Sequence, residues 1–437
     1  MIKTLINAFK VEQLRKRLFY TFWIVVIVRL GCQLPIPGVD VSAVQDFLAS
    51  VVGESYSFID SFTGGSFTSM SVFALSVTPY ITASIIMQLL TIAIPALEEM
   101  QHDGEDGRKK IQKITRYVSV ALAIIESAGL AIGFHRQGAL GESNAFTVLT
   151  IIATLTAGSC IIMWLGERIS DKGIGSGISI ILLVNIVSKM PADFANLYEM
   201  FVKNKAMVQA IIAVVVILAV VIATTVLVII LQDAERRIPV QYSKKVQGRR
   251  MTGGQSSYIP LKVNTAGVIP VIFASSLMSV PSIIINLFGM TPGATWNKIL
   301  QGMNQNYWFN PEYPWASIGL IIYIVLNVLF AYFYTSITFN PMEVANNMKK
   351  NGGFIPGIRP GKPTQDYLNK ILNYIVLIGV TGLVIVALIP VFFNGMFSAD
   401  VSFGGTSLII IAGVILETMK QVESQLLVRN YSGFLND

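Results

Sequence analysis

The residue types that usually carry enzyme chemistry are few and scattered in this sequence. His102 and His135 stand alone in hydrophilic segments, without the spacing of metal ligands. Cys32 and Cys160 each lie in an apolar run, where a free thiol behaves as a small hydrophobic side chain, so we predict no disulfide. No Ser/His/Asp set, paired-carboxylate site or Walker motif is visible. We therefore expect no catalytic site, no metal site and no cofactor.

Two charged residues inside otherwise apolar runs are the remaining candidates for chemistry. They are Arg29 in the run 18–37 and Glu126 in the run 117–134. Ion-coupled transport usually needs ionisable groups near the bilayer midplane, which keeps a proton relay open as an interpretation. Either residue can instead be a packed, hydrogen-bonded structural group. We favour that role for Arg29, which lies near the outer end of its run.

The composition indicates a membrane protein with many spans. Of the 437 residues 53% are hydrophobic and only 13% are charged. The charges fall in clusters, and the runs between them are continuously apolar, which favours helices over transmembrane strands. Because a crossing takes about 20 helical residues, these runs predict ten spans. In chain order the spans are 18–37, 61–97, 117–134, 143–166, 173–188, 206–232, 263–297, 313–342, 371–399 and 401–416. Two runs, 61–97 and 263–297, are too long for a single crossing.

Lysine and arginine predict the orientation of the ten spans. With an even number of spans both termini lie on one side, and the segments on that side hold 26 of the 32 basic residues. Cytoplasmic loops carry the excess of basic residues in membrane proteins. We therefore predict that both termini are cytoplasmic.

One hexapeptide pattern, Pro-x-Ile-x-Ala-Ser, occurs once in each over-long run, as PYITAS at 79–84 and PVIFAS at 270–275. The pattern is permissive, and coincidence is one interpretation. However, dividing the chain after span five places the copies in spans two and seven, the second helix of each half. Interrupted helices at matching positions mark the functional centre of many transporters and channels. We expect proline-loosened helices in which Ile81 and Ile272 face one path, narrowed by aliphatic side chains that exclude ions by dewetting.

A Gly/Ser/Thr-rich segment, SFIDSFTGGSFTSM at 57–70, precedes span two. It is too short and too polar to cross a membrane. One interpretation is an ordinary outer loop. The other is a short segment folded back into a water-filled vestibule, since irregular backbone at membrane depth requires protein or water around it.

Two long loops, 232–264 and 339–370, carry clustered basic residues. Basic loops beside a membrane usually set topology and touch anionic lipid. Two such loops with interleaved Tyr, Gln and Asn also suggest docking of a large, partly acidic partner, either protein or RNA. The candidate docking residues are Arg236, Arg237, Lys244, Lys245, Arg249, Arg250 and Arg359.

Seven motifs between residues 12 and 430 resemble the SecY family, the large subunits of the bacterial protein-conducting channel. The motifs are PIPGVD (35–40), FALSVTPYITASIIMQLL (73–90), MWLGERISDKGIGSGISI (163–180), RRIPVQYSKKVQGRR (236–250), SSYIPLKVNTAGVIPVIFASS (256–276), FNPMEVANNMKKNGGFIPGIRPG (339–361) and FGGTSLIII (403–411). The resemblance implies an all-α polytopic membrane protein whose ten helices form two pseudo-symmetric inverted halves around a central hourglass pore. The halves are 18–190 and 191–430, between a cytoplasmic segment 1–17 and a tail 431–437.

The resemblance also implies three sets of site residues. A plug at about 57–70 would occupy the outer funnel, and a lateral gate would open between spans two and three on one side and spans seven and eight on the other. The implied pore ring is Val77, Ile81, Leu182, Ile272, Ser276 and Ile410. The implied plug residues are Phe58, Ile59, Phe62, Gly64 and Gly65, and the implied polar gate residues are Gln88 and Asn264.

The function implied by the resemblance is passage of unfolded preproteins across the bacterial plasma membrane and lateral release of apolar segments into lipid. The implied partners are SecE and SecG, the SecA motor ATPase, the ribosome with its RNA, signal sequences, nascent polypeptides and membrane lipid. Energy would come from the partner. At Glu126 we expect a neutral polar residue in relatives. The alternatives are an ion-coupled secondary transporter with inverted repeats, and a passive scaffold without conductance.

Overall fold

The fold is described from a computed structural model of the chain. It describes residues 2–42, 44, 60, 62–136, 144–203, 207–242, 245–247, 250–252, 256–288, 293–309, 313–397 and 405–433.

The first half of the described chain is helical. Its helices are α1 (Ile2–Lys10), α2 (Glu12–Gly31), α3 (Thr78–Ala93), α4 (Pro95–His102), α5 (Gly104–Arg136), α6 (Ala145–Lys172) and α7 (Gly177–Phe201). The segment 62–77 between α2 and α3 is made mostly of turns.

The second half combines helices with five short strands. Its helices are α8 (Met207–Asp233), α9 (Ile269–Phe288), α10 (Ala294–Met303), α11 (Ser317–Thr338), α12 (Pro341–Lys350), α13 (Lys362–Phe397) and α14 (Gly405–Gly433). Its strands are β1 (Glu235–Tyr242), β2 (Lys245–Gln247), β3 (Arg250–Thr252), β4 (Ser256–Lys262) and β5 (Gly353–Phe354).

A helix of at least 16 residues overlaps each of the ten predicted spans. Six helices in the described part of the chain are long and apolar enough to cross a membrane by themselves. A seventh candidate combines α3 and α4, which are bent by 107° at the break between them. The predicted fold class, an all-α polytopic membrane protein, is confirmed, with a small β-sheet added.

The prediction that proline loosens spans two and seven is wrong at both repeats. Pro79 is the second residue of α3, and Pro270 is the second residue of α9. The first amides of a helix have no partner within the helix, so a proline there removes no hydrogen bond and its fixed φ suits the helical start. The two copies of the pattern therefore share a helix start.

The helices also move the predicted division between the halves. Helix α7 runs through residue 190 to Phe201, with Pro191 inside it. A boundary at residue 190 would cut α7, so we place the proposed boundary between α7 and α8. The predicted tail shortens as well, because α14 continues to Gly433.

A three-stranded sheet joins the two basic loops, with the strand order β4-β1-β5. Strand β1 pairs antiparallel with β4, and its end pairs with β5, where Gln241 lies opposite Phe354. Ile238 of β1 and Leu261 of β4 share a buried cluster with Ile355, which follows β5. The two loops therefore form one packed unit, which the sequence did not predict.

Candidate functional site

One hydrophobic cluster, which we call the ring cluster, contains side chains from both halves of the chain. Val77, Leu182 and Ile410 are buried in it, and Ile81 and Ile272 pack against it half-buried. Their positions come from different elements. Val77 and Ile81 belong to the start of α3, Leu182 to α7, Ile272 to α9 and Ile410 to α14.

The ring cluster brings together the five aliphatic members of the predicted pore ring. The shared helix start at the two repeats explains part of this arrangement, because Ile81 and Ile272 each lie two residues after a proline that begins a helix. Aliphatic side chains form no hydrogen bonds with water. Burial of each one away from water is favourable by about 1.5–3 kcal/mol of free energy. A closed passage lined in this way would be dry and would hold no ions.

Several predicted site residues fall outside what the structure describes. Among the plug, ring and docking residues these are Phe58, Ile59, Lys244 and Arg249, together with the side chains of Ser276, Lys245 and Arg250.

The plug segment, residues 57–70, reaches the ring cluster through Phe62, which is buried in that cluster. Gly64 and Gly65 turn the chain just after it, with φ of +67° and +84°, a region that favours glycine. A Cβ on Gly64 would lie 2.8 Å from the Asn185 carbonyl oxygen of α7, whereas a Cβ on Gly65 would meet nothing within 4 Å. The chain at Gly64 thus passes tightly over α7.

An ion pair ties the start of the described plug segment to α7. Lys189 Nζ lies 2.7 Å from Asp60 Oδ2, and the two side chains are only 18% and 3% exposed. The other carboxylate oxygen of Asp60 accepts hydrogen bonds from the Thr68 amide at 3.1 Å and the Thr68 hydroxyl at 3.0 Å. Both oxygens of the buried carboxylate are therefore satisfied.

Two further polar side chains contact the same segment. Asn185 Nδ2 donates to the Phe62 carbonyl at 3.2 Å and to Ser76 Oγ at 3.1 Å. Arg29 of α2 donates a long hydrogen bond, 3.4 Å, to the Gly64 carbonyl. Arg29 thus has the hydrogen-bonded role that we favoured for it.

These plug contacts were not predicted as a set. Asp60 is the only charged residue in 57–70, and Lys189 directly follows the uncharged run 173–188. Single charges at the edges of apolar regions are a signal that they need partners. The sequence offers no way to pair them, because Asp60 and Lys189 are 129 residues apart.

The end of the plug segment and the two residues after it are fixed to the chain that follows α2, where the Ile36 amide donates to the Met70 carbonyl at 3.0 Å. Ser71 and Pro35 form an antiparallel bridge. The Val72 amide donates to the Leu34 carbonyl at 2.9 Å. Val72 also lies against Gly158 of α6, where an added Cβ would be 2.0 Å from the Val72 carbonyl oxygen. The segment therefore enters α3 from a rigid base.

The two predicted gate residues lie in different surroundings. Gln88 is half-buried in α3. Asn264 is buried just before α9, beside Gly379 of α13, and its Nδ2 has no hydrogen-bond partner among the described residues. The two halves also meet where α5 packs against α9. Spans three and seven thus form a seam between the halves.

The described docking residues are exposed on the small sheet and its neighbouring loop. Arg236, Arg237 and Arg359 are exposed. Arg237 Nε donates to Glu235 Oε1 at 2.7 Å, and its guanidinium lies 5.0 Å from the centroid of the Tyr258 ring. The hydrogen bond to Glu235 raises the pKa of Arg237, with smaller electrostatic contributions from Tyr258 and from the Glu235 carboxylate. This surface is suited to acidic partners.

The remaining candidates for chemistry do not form a shared site among the described residues. Glu126 lies half-buried in α5, next to Ser127, whose hydroxyl is 3.0 Å from that of Thr156 in α6. Cys32 and Cys160 are free thiols. Within the described ranges, no group of three or more His, Cys, Asp or Glu side chains has the arrangement of a metal site.

Comparisons with known sequences find a family and full-length relatives. A family model described as SecY matches residues 71–419. A relative from Streptomyces scabiei, described as protein translocase subunit SecY, is 44% identical over 450 residues, and the match covers 100% of both chains. A relative of the same description from Mycobacterium tuberculosis (strain ATCC 25618 / H37Rv) is 41% identical over 451 residues, again covering 100% of both.

Solved structures resemble this chain in fold. One is described as the structure of a protein conducting channel. It has a TM-score of 0.60 at 18% sequence identity, and the match covers 94% of this chain and 92% of that chain. Another, described as Sec61 in the canine ribosome-channel complex from the endoplasmic reticulum, has a TM-score of 0.60 at 17% identity, with the same coverage.

Proposed function

Since the chain belongs to the SecY family, we propose that its ring cluster closes the path by which unfolded preproteins cross the membrane. The chain is a multi-pass membrane protein and a protein-conducting channel subunit, not an enzyme. The comparisons do not support the alternative of an ion-coupled secondary transporter.

The observation that carries the proposal is the meeting of five aliphatic side chains from both halves in one cluster with Phe62 of the plug segment. We infer that Val77, Ile81, Leu182, Ile272 and Ile410, with Ser276, form the pore ring. Such a ring excludes ions when closed and yields to a peptide, because contacts between apolar side chains are non-directional and re-form around any chain.

The plug segment then has a defined task. We propose that residues 57–70 occupy the outer side of the ring when no polypeptide is present, and that a translocating chain displaces them. A structure similar in fold to this chain is described as showing that the plug domain of the SecY protein stabilises the closed state of the channel and maintains a membrane seal. In this chain Phe62 and Gly64 would serve that seal.

We further propose lateral release at the seam between the halves. Segments of about 20 apolar residues gain free energy by moving from an aqueous pore into lipid, whereas polar segments do not. Contact between α5 and α9 places two predicted gate helices side by side. The polar side chains of Gln88 and Asn264 would make it easier for the two halves to separate at the seam.

The partners that fit this chain follow from its exposed basic surface. We propose that Arg236, Arg237 and Arg359, with the other basic residues of loops 232–264 and 339–370, dock the ribosome or the SecA motor. One solved structure similar in fold is described as part of a ribosome-channel complex. Small SecE and SecG subunits, signal sequences and nascent chains complete the proposed set. The proposed location is the bacterial plasma membrane, with both termini and the small sheet in the cytoplasm.

Cross-linking tests the proposed path. A photoreactive amino acid is placed at Ile81 or Ile272, and a preprotein is stalled during transport driven by SecA and ATP. We expect both positions to cross-link to the stalled chain. The matched control is Ile222, an exposed residue of α8, which should cross-link to lipid only. Cross-links at Ile222 equal to those at Ile272 would refute the proposed path.

A further inference from the structure

The plug segment is held by a polar grip that a purely aliphatic seal does not require. A largely buried lysine ammonium at the end of an apolar span is costly unless it is paired and hydrogen-bonded. Lys189 meets this need through Asp60 at 2.7 Å. The carboxylate is in turn held by Thr68. The charge on α7 is therefore compensated by the plug segment itself.

The grip covers two successive turns of one helix face. Asn185 and Lys189 are four residues apart on α7, so their side chains lie on the same face. Asn185 donates to the Phe62 carbonyl, next to the aromatic ring that enters the ring cluster. The backbone of Asn185 also lies against Gly64. Helix α7 thus contacts the segment at residues 60, 62 and 64.

The two halves hold the plug segment in different ways. Arg29, Asn185 and Lys189, which donate to it, all belong to α2 and α7 of the first half. Ile272 and Ile410 of the second half share the ring cluster with Phe62, and their side chains are purely aliphatic. Ion pairs and hydrogen bonds break at a defined geometry, whereas aliphatic contacts slide.

We propose that Asn185 and Lys189 are positioning residues that anchor the plug to the first half of the channel. This inference rests on the proposed plug role of 57–70. When the second half moves away and the ring widens, the plug stays with α7. Opening for a polypeptide then takes a second event, which is rupture of the ion pair between Asp60 and Lys189. The anchor, rather than the ring alone, sets how tightly the resting channel is closed.

The test measures the resting ion conductance of the full chain with its small subunits in planar bilayers, without substrate. We expect Lys189→Met to raise this conductance at least roughly tenfold, because an unpaired buried Asp60 favours the displaced plug. Lys189→Arg keeps the charge and should stay closed. The matched control is Lys203→Met. Lys203 lies just beyond α7 and forms an exposed ion pair with Glu199 in the last turn of that helix. The channel with this substitution should also stay closed. Asn185→Ala tests the anchor without leaving an unpaired charge, and we expect a smaller rise.

A plug deletion separates this inference from the proposed function. In a channel lacking residues 60–70 we expect high conductance, and Lys189→Met should add nothing to it, since the lysine acts through the plug. If the deletion raises conductance but Lys189→Met and Asn185→Ala in the full chain do not, the anchor is refuted and the plug stands. If Lys189→Met raises conductance further in the deleted channel, its role is structural and the anchor is refuted. If the deletion changes nothing, the plug role itself fails.

Discussion

Replacing Gly64 by alanine should open the resting channel, and Gly65 provides a matched comparison. Both glycines have positive φ, which costs an alanine about 1–2 kcal/mol. Only at Gly64 does the new Cβ also meet α7, at 2.8 Å from the Asn185 carbonyl oxygen and 2.9 Å from its Cα. Overpacking of this kind typically adds about 1–3 kcal/mol. This strain is relieved when the plug segment leaves its site.

These energies translate into a difference between the two variants. A cost of 1–2 kcal/mol shifts the balance toward the displaced plug by about 5- to 30-fold, since about 1.4 kcal/mol corresponds to tenfold. Gly65→Ala should raise the open fraction of the resting channel by a factor of that order. Gly64→Ala carries both costs and should exceed it by a further factor of at least about five. The open fraction stops rising once the plug segment is displaced in most channels.

Single-channel recording without substrate is the assay, with the helical content and subunit assembly of each variant checked beforehand. The open fraction of the unmodified channel gives the reference. Equal open fractions for Gly64→Ala and Gly65→Ala would refute the reasoning, because the close approach to Asn185 would then have no energetic effect. Unchanged closure in both variants would refute the plug conformation described for residues 64 and 65.

Three further outcomes test other parts of the molecule. Ile272→Asn should raise the resting ion conductance several-fold, because an unsatisfied polar side chain in an apolar constriction draws water into the ring. Ile272→Val should leave the conductance unchanged. An unchanged conductance in Ile272→Asn would argue against the ring. Glu126→Gln should leave preprotein transport largely intact, measured as protected preprotein in vesicles; complete loss would show an ionised role for Glu126. Arg359→Glu should weaken binding of the motor or ribosome by roughly tenfold at low salt, and the difference should shrink as salt screens it; a salt-independent defect would indicate misfolding of the loop.

Hydropathy and charge, read along the chain, predicted most of the architecture. Each of the ten predicted spans overlaps a helix of at least 16 residues, because a segment that crosses lipid must satisfy its own backbone hydrogen bonds and be mostly apolar. These are local requirements. The aliphatic residues at matched positions of the two repeats, Ile81 and Ile272, were also visible from spacing alone, and the resemblance to the SecY family supplied the other ring residues.

The structure differed from what the sequence had led us to expect at two places. Proline was expected to loosen two helices, yet Pro79 and Pro270 each lie at the start of one. Nothing in the sequence predicted contact between the loops 232–264 and 339–370, yet β5 of the second loop completes the sheet begun by β1 of the first. Strand pairing across such a distance is set by tertiary contacts and leaves little trace in the hydropathy of either strand.

What the sequence by itself determined is the membrane class, the helical apolar runs and the aliphatic character of the ring cluster, since composition and periodicity specify how each segment meets lipid or water. Only the tertiary structure decided which charges meet. Asp60 and Lys189 pair across 129 residues because the plug segment folds back over α7, and that path depends on a glycine passing within contact distance of Asn185. An ion pair needs both groups within about 4 Å, and no one-dimensional pattern encodes that distance.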